Sequence, residues 1–161
     1  MFHLFFVLLW IYETYLLEMA AKDTHHQATK NALVKAGWTI THDPYMVELL
    51  NTMASIDLGA EKLLAAEKDS KKVAIEIKTF KGPSLVYDFH LALGQYMNYH
   101  RALKKADKDR QLYLSIIEDV YRTFFLKSDV QEALSDFGMS LLVINPDTEE
   151  LVMWINFPTH S

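Results

Sequence analysis

The sequence contains no cysteine, and this absence removes three kinds of protein chemistry. A disulfide framework, a thiolate zinc site and a cysteine nucleophile all need the missing side chain. A chain without cysteine suits the reducing cytoplasm, where disulfides are rare. We therefore expect a cytoplasmic protein.

Signatures of several other functional classes are also missing. We find no Gly-rich phosphate loop, no Ser-His-Asp order and no Cys/His metal pattern. Positive charge is not in excess either, because 16 Lys and Arg against 21 Asp and Glu leave a net charge of −5 at pH 7. Proteins that coat nucleic acid neutralise many phosphates with Lys and Arg. The charge balance therefore argues against a general coat protein, but it does not exclude an enzyme with a local basic patch.

The composition is that of one globular domain. The chain has 161 residues, of which 50% are hydrophobic and 23% charged. This length allows one compact core and is too short for two ordinary domains. No internal repeat, linker or low-complexity tract divides the chain.

The first eighteen residues differ in character from the rest. Residues 1–12 are almost wholly apolar, but this run is shorter than the roughly 20 residues of a membrane-spanning helix. It also lacks the basic start and the small-residue cleavage site of a signal peptide. Three interpretations stay open: a short helix packed on the domain, a membrane-surface anchor, or an extension from a misplaced upstream start codon.

The third interpretation is favoured, because the polar, capped segment that begins at Met19 is typical of a natural N-terminus. We expect a single domain over 19–161, with 1–18 as an apolar extension outside it. Deleting the extension should leave the fold intact. No stable membrane association is expected.

Helix and strand signals alternate along the remaining chain. Capping-box spacing at Thr24 and a helix stop at Gly37 predict a helix over 24–36. Hydrophobic periodicity and turn residues predict the later elements. They are extended segments at 38–42, 55–67, 72–80, 111–117, 139–144 and 151–155, helices at 84–105 and 128–137, and an irregular or helical segment at 118–126. This order predicts an α/β (mixed α+β) fold with one mixed sheet flanked by helices.

The strand predicted at 72–80 carries the most informative side chains. Residues two apart on a strand share a face, so Glu76 and Lys78 lie side by side. A polar turn at 68–71 makes this strand one arm of a hairpin, and Asp57 lies at the start of the partner arm. We therefore expect Asp57, Glu76 and Lys78 to converge on one side of the sheet.

This trio is chemically sufficient for phosphodiester hydrolysis. Mg²⁺ keeps most of its waters and needs only one or two protein carboxylates, so Asp57 and Glu76 could bind Mg²⁺ or Mn²⁺. A neighbouring Lys can orient the attacking water and offset charge on the phosphate. Taken alone, Glu76-Ile77-Lys78 is more often a solvent-facing ion pair on a strand.

The order of elements and residues resembles the restriction-endonuclease-like superfamily, also called PD-(D/E)xK nucleases. In its common core a helix precedes three strands, of which the second carries Asp and the third carries Glu-x-Lys. Ile56 stands where the name-giving Pro would be. Gln95 and Tyr99, four apart on one helix face, match a Gln-x-x-x-Tyr helix of the RecB-like branch. The resemblance implies DNA contact or site support for this pair, against the alternative of a core Tyr99 and a surface Gln95.

A denser resemblance, along 19–158, is to the XisH family of fdxN element excision controlling factors. The segments that carry it include Gly37-Trp-Thr-Ile-Thr-His-Asp-Pro44, Ile56-Asp-Leu-Gly-Ala-Glu-Lys62, Ala92-Leu-Gly-Gln95 and Trp154-Ile-Asn156. The resemblance implies a role in DNA rearrangement in cyanobacteria and the same nuclease-like fold. It also implies partners, namely DNA, a small XisI-like protein and a site-specific recombinase. A homo-oligomer is compatible with the sequence.

Two functions of different classes remain open. The first is an Mg²⁺-dependent DNA endonuclease or nickase that assists excision, which the intact trio favours. The second is a catalytically silent nuclease-fold adaptor that binds XisI or a recombinase, which the negative net charge favours. Fold analogy alone does not choose between them.

Four further residues could add to the metal site. His25 and His26 could reach it from the first helix, although capping or solvated positions are favoured for both. Glu61 and Glu67 could each add a carboxylate from the hairpin.

Overall fold

A computed structural model describes residues 2–63 and 70–158. The predicted turn at 68–71 lies partly outside the described residues, and Glu67 lies wholly outside them. The helices are α1 (Phe2–Lys35), α2 (Leu85–Ala106), α3 (Glu118–Val120), a π-helical turn (Tyr121–Phe125) and α4 (Ser128–Phe137). The strands are β1 (Thr39–His42), β2 (Tyr45–Leu49), β3 (Thr52–Ile56), β4 (Leu58–Leu63), β5 (Ser70–Ile77), β6 (Arg110–Ile117), β7 (Leu141–Asn145) and β8 (Glu150–Ile155).

Six of the strands form one mixed sheet in the order β1-β4-β5-β6-β7-β8. The pairs β5–β6 and β6–β7 are parallel, and the outer pairs are antiparallel. Helices cover both faces, so the central strands are apolar on both sides, as expected for parallel strands between helical layers. The mixed α/β class predicted from the sequence is confirmed.

The second half of α1 packs on one face of the sheet. Its buried residues recur at spacings of three and four, and they are His25, Ala28, Thr29, Ala32 and Leu33. Of these, Ala28, Ala32 and Leu33 meet side chains of the central strands such as Ile75 and Tyr113 in one apolar cluster. This stripe holds α1 against the sheet.

The predicted start of the first helix at Thr24 is wrong, because α1 begins at Phe2. The Thr24 hydroxyl donates a 2.8 Å hydrogen bond to the carbonyl of Ala20, as a Thr does inside a helix. The Leu, Met and Ala residues before it are good helix formers, so the helix extends through the apolar segment. By length and composition α1 could also cross a membrane, a property that core helices and signal sequences share.

Helix α2 packs on the opposite face of the sheet. Ser84 caps its N-terminus, accepting a 3.3 Å hydrogen bond from the N–H of Tyr87. The buried residues of α2 are Phe89, Ala92, Tyr96, Tyr99, Ala102 and Leu103, and they belong to the second apolar cluster. The face of β5 that contains Ala74 and Glu76 therefore lies on the α2 side.

A second, two-stranded sheet, β2–β3, was not predicted as a hairpin. Its turn residues, Leu50 and Asn51, both adopt positive φ angles of 51° and 60°. Such turns usually carry Asn-Gly or Asp-Gly, and Leu gives no turn signal here. The predicted extended segment 55–67 is consequently divided at Asp57, with β3 on one side and β4 on the other.

Removing residues 1–18 should leave the melting temperature of the protein within a few degrees of its original value. The side chains in this part of α1 are exposed, with Phe2 at 82% and Leu17 at 70%, so little buried area is lost. Leu33→Ala, which truncates a fully buried side chain of the same helix, is the control and should cost about 2–5 kcal/mol. Thermal unfolding followed by circular dichroism gives the comparison. A loss in the truncated chain as large as that of Leu33→Ala would place the extension in the core.

Candidate metal-binding and catalytic site

Asp57 lies at the joint between β3 and β4, beside the carboxyl end of β5. Its Oδ2 accepts a 2.8 Å hydrogen bond from the backbone N–H of Ile77. Leu58, the next residue, pairs with Ile75 across the β4–β5 ladder. The hairpin register and this hydrogen bond together hold the Asp57 carboxylate next to Glu76 and Lys78, which flank Ile77 in the chain.

Glu76 is the buried carboxylate of the site. The residue is only 5% exposed, and its Oε1 lies 3.3 Å from Nζ of Lys78. Its Oε2 is buried and has no hydrogen-bond partner among the described residues. An unpaired carboxylate oxygen in the interior is costly, which marks Glu76 as a group that a ligand could satisfy.

The electrostatics of Glu76 reflect burial first and Asp57 second. Burial raises the pKa of Glu76 to about 7, and the negative charge of Asp57 acts in the same direction. The Lys78 ammonium and the backbone N–H of Asp57 oppose the rise in pKa. A divalent cation would remove the repulsion and satisfy Oε2, so the two carboxylates fit a Mg²⁺ or Mn²⁺ site.

Lys78 follows the last residue of β5 and extends its pairing by one step. Its backbone N–H donates a 3.0 Å hydrogen bond to the carbonyl of Ser115 on β6. This bond keeps the Lys78 side chain on the Glu76 side, where it is 28% exposed. The predicted strand 72–80 therefore ends three residues too late, since the regular ladder ends at Ile77 and Phe80 turns with φ 51°, and it begins two residues after the observed start at Ser70.

Helix α2 brings Tyr99 close to both carboxylates. Tyr99 is 7% exposed, and its phenol pKa is raised by burial and then by the charges of Glu76 and Asp57. Gln95, one turn earlier, buries an Oε1 atom that has no hydrogen-bond partner in the described ranges. The structure thus brings Tyr99 close to the two carboxylates, and Gln95 is half-buried rather than a plain surface residue. Their roles in DNA contact or site support stay predictions.

The additional candidates lie elsewhere or behave differently. His26 pairs with Asp43 at 2.8 Å, and Glu61 pairs with Arg110 at 3.0 Å. The favoured solvated or capping position of His25 is wrong, because this residue is 6% exposed and inside α1. In residues 2–63 and 70–158 no three His, Asp or Glu side chains cluster around a common metal position. The candidate ligand set is accordingly two carboxylates, within the number that Mg²⁺ uses.

Two lysines that the sequence analysis did not single out lie near Lys78. Lys22 of α1 and Lys81 of the segment after β5 line a groove together with it. No sequence pattern connects Lys22 with Lys78, because the end of α1 and the five strands β1 to β5 separate them in the chain. Only the packing of α1 beside the end of β5 brings them together.

Comparison with known proteins places these residues in a family context. A model of the XisH protein family matches residues 19–152. The crystal structure of an XisH family protein from Nostoc punctiforme PCC 73102 is similar at 32% identity with a TM-score of 0.74. The crystal structure of an fdxN element excision controlling factor protein from Anabaena variabilis is similar at 36% identity with a TM-score of 0.74. Each similarity covers 83% of this chain and 99% of the other chain. No curated protein matches.

Proposed function

This chain belongs to the XisH family, and we propose that it controls excision of a DNA element by metal-dependent hydrolysis of DNA phosphodiester bonds. The similar protein from Anabaena variabilis is an fdxN element excision controlling factor, which supports the DNA-rearrangement part. The hydrolytic part rests on buried Glu76, whose Oε2 has no hydrogen-bond partner in the described ranges and which shares a site with Asp57 and Lys78. A small XisI-like protein and a site-specific recombinase are the partners that we propose.

The order of elements supports the restriction-endonuclease-like part of the proposal. A helix precedes the strands, Asp57 immediately precedes β4, and Glu76 and Lys78 flank Ile77, the last residue of β5. Helix α2 follows and carries Gln95 and, one turn later, Tyr99, whose phenol senses the charges of Glu76 and Asp57. The same order of elements and residues underlies the resemblance to the PD-(D/E)xK nucleases.

Each side chain has a separate task in this proposal. Asp57, held by the N–H of Ile77, and Glu76 would bind the metal ion. When bound there, such an ion would supply a water of lowered pKa and polarise the phosphate. Lys78 would orient the attacking water and stabilise negative charge on the phosphate. Burial and the charges of Glu76 and Asp57 raise the pKa of the Tyr99 phenol, which favours its protonated form, and Tyr99 would act as a hydrogen-bond donor.

Metal-dependent DNA cleavage is the direct test. Purified full-length protein should nick or linearise supercoiled plasmid, or cut single-stranded DNA, with Mg²⁺ or Mn²⁺ and not with EDTA. Asp57→Asn and Glu76→Gln should each lower the rate by about 100-fold or more, because each removes a metal ligand. Glu48→Gln, at an exposed position of β2, is the matched control and should cleave normally.

Folded wild-type protein that cleaves neither substrate at millimolar metal would contradict hydrolysis. The catalytically silent adaptor would then be the remaining role. Cleavage that persists in Glu76→Gln would instead show that a contaminant or another site is responsible.

A further inference from the structure

A groove runs beside the candidate site, between the middle of α1 and the segment after β5. Its volume is about 290 Å³. One wall comes from α1 and the other from 78–82 and the start of α2. Because Lys78 lines it, the groove is continuous with the site that holds Glu76.

The groove has a positive local charge in a protein that is negative overall. Three lysines line it: Lys22, Lys78 and Lys81. Lys22 and Lys81 are exposed and form no ion pair within the described part of the chain. Two acids, Glu18 and Asp88, also line the groove, so the lysines exceed the acids by one; Asp88 accepts a 2.8 Å hydrogen bond from the N–H of Gly82, which fixes its carboxylate at the loop.

Apolar surface separates the charged groups of the groove. Tyr15, Met19 and Leu91 supply it, and Tyr15 is 57% exposed. Cationic groups next to an accessible aromatic ring are typical of surfaces that follow a nucleic-acid strand, with phosphates on the cations and sugars or bases on the apolar parts. An acidic peptide would use the lysines and leave the apolar wall unmatched.

His25 adds a polar group next to the groove. It follows Lys22 by three residues on α1, but it faces the sheet and is not among the residues that line the groove. Its Nδ1 is buried without a hydrogen-bond partner among the described residues. Burial and then the nearby charge of Lys81 lower the pKa of His25, so the ring is neutral at pH 7 and can donate one hydrogen bond.

We propose that this groove binds the phosphodiester backbone of a nucleic-acid strand, with Lys22 and Lys81 contacting phosphates next to the one presented to Asp57 and Glu76. The inference rests on the proposed function for the identity of the strand as substrate. The contacts themselves need no catalysis. Binding and cleavage can therefore be tested separately.

The test compares two charge-matched double variants of the full chain. Lys22→Gln/Lys81→Gln removes the groove lysines, and Lys104→Gln/Lys108→Gln removes two exposed lysines at the far end of α2. Lys104 lies roughly 20 Å along the helix from Leu91, at 1.5 Å per residue. Binding to labelled single-stranded and duplex oligonucleotides is measured by fluorescence anisotropy in EDTA over a series of salt concentrations.

The groove variant should bind at least about tenfold more weakly than wild type at low salt, because two phosphate contacts are lost. The slope of log K against log salt should fall by about 1.8 for duplex or about 1.4 for single-stranded DNA. The Lys104/Lys108 variant should keep the wild-type slope. The oligonucleotide that shows the larger loss identifies the form of DNA that occupies the groove.

Three results would overturn the groove. They are no binding by the wild type, a groove variant with wild-type affinity and slope, and an equal loss in the Lys104/Lys108 variant. If metal-dependent cleavage is observed together with any of these results, the proposed hydrolysis is supported and the proposed binding groove is contradicted. If DNA binding depends on Lys22 and Lys81 but no cleavage is observed, the proposed groove is supported and the proposed hydrolysis is contradicted. Circular dichroism melts confirm that both variants, altered only at exposed positions, are folded.

Discussion

Lys78→Met should abolish DNA cleavage and leave metal binding largely in place. Methionine keeps most of the apolar stem and removes the ammonium that lies 3.3 Å from Glu76. The proposed work of Lys78 is on the attacking water and the phosphate, and such groups contribute about 10²–10⁴-fold to rates. The carboxylates that bind the metal are unchanged. We therefore expect a loss of that size in the cleavage rate.

The measurement pairs cleavage rates with calorimetry of metal binding at pH 8. This pH is above the pKa of Glu76, about 7, which the loss of the Lys78 charge would raise further. Lys72→Met, six residues earlier on β5 and so roughly 20 Å from Lys78, is the matched control. A variant at Lys78 that cleaves at the wild-type rate would remove it from the chemistry. A variant that binds no metal would make its role structural.

Glu76→Gln should stabilise the metal-free protein, although it destroys the metal site. Burial and the nearby Asp57 charge penalise ionised Glu76 in the folded state, and glutamine carries no charge. A pKa of 4.5 in the unfolded chain and about 7 in the folded protein corresponds to about 3 kcal/mol at most. For a chain of this size the melting temperature should rise by roughly 6–12 °C at the upper limit.

The pH dependence distinguishes this electrostatic cause from improved packing. Below pH 4.5 Glu76 is protonated in both states, so its ionisation has no effect on stability. Between pH 4.5 and about 7 the unfolded chain ionises first and the wild type loses stability, and above about 7 the loss is complete. The advantage of Glu76→Gln should therefore be small near pH 5 and reach its full size at pH 8. An advantage that is equal at both values would contradict the electrostatic origin.

Divalent metal should offset most of the stability advantage that Glu76→Gln has over the metal-free wild type. A ligand that binds only the folded state stabilises it by about 2.7 kcal/mol at a concentration of one hundred times Kd. Mg²⁺ or Mn²⁺ should therefore raise the melting temperature of the wild type and leave Glu76→Gln unchanged. Asp57→Asn should also lose the response, and Glu48→Gln should keep it. No response of the wild type at millimolar metal would contradict the metal site.

The fold class and the order of several elements of this protein could be predicted from local sequence patterns. The mixed α/β class, helix α2 with its Ser84 cap and strand β6 follow from the hydrophobic periodicity and the turn and cap residues in the sequence. The proximity of Asp57 to Glu76 also follows, because a hairpin with β4 and β5 as arms leaves little choice of register. Both predictions use only residues that are close together in the sequence.

Two local predictions failed because local signals were weak or ambiguous. The β2–β3 turn uses Leu50 and Asn51, and Leu at a positive φ is a choice that no turn preference anticipates. The capping-box spacing at Thr24 gave a false helix start, since the same residue can bond to the carbonyl four positions back inside a helix. Here the residues upstream decided the outcome.

The sequence by itself determined which chemical groups are available: two carboxylates and an ammonium in register near the end of one strand, with no thiol. Only the tertiary structure decided their electrostatic state. Glu76 would be an ordinary surface acid on an exposed strand, but α2 and β6 cover it, and burial moves its pKa to about 7. The same packing places Lys22 of α1 in one groove with Lys78 and Lys81. Desolvation and contacts between distant segments depend on how the layers pack, and no local pattern specifies them.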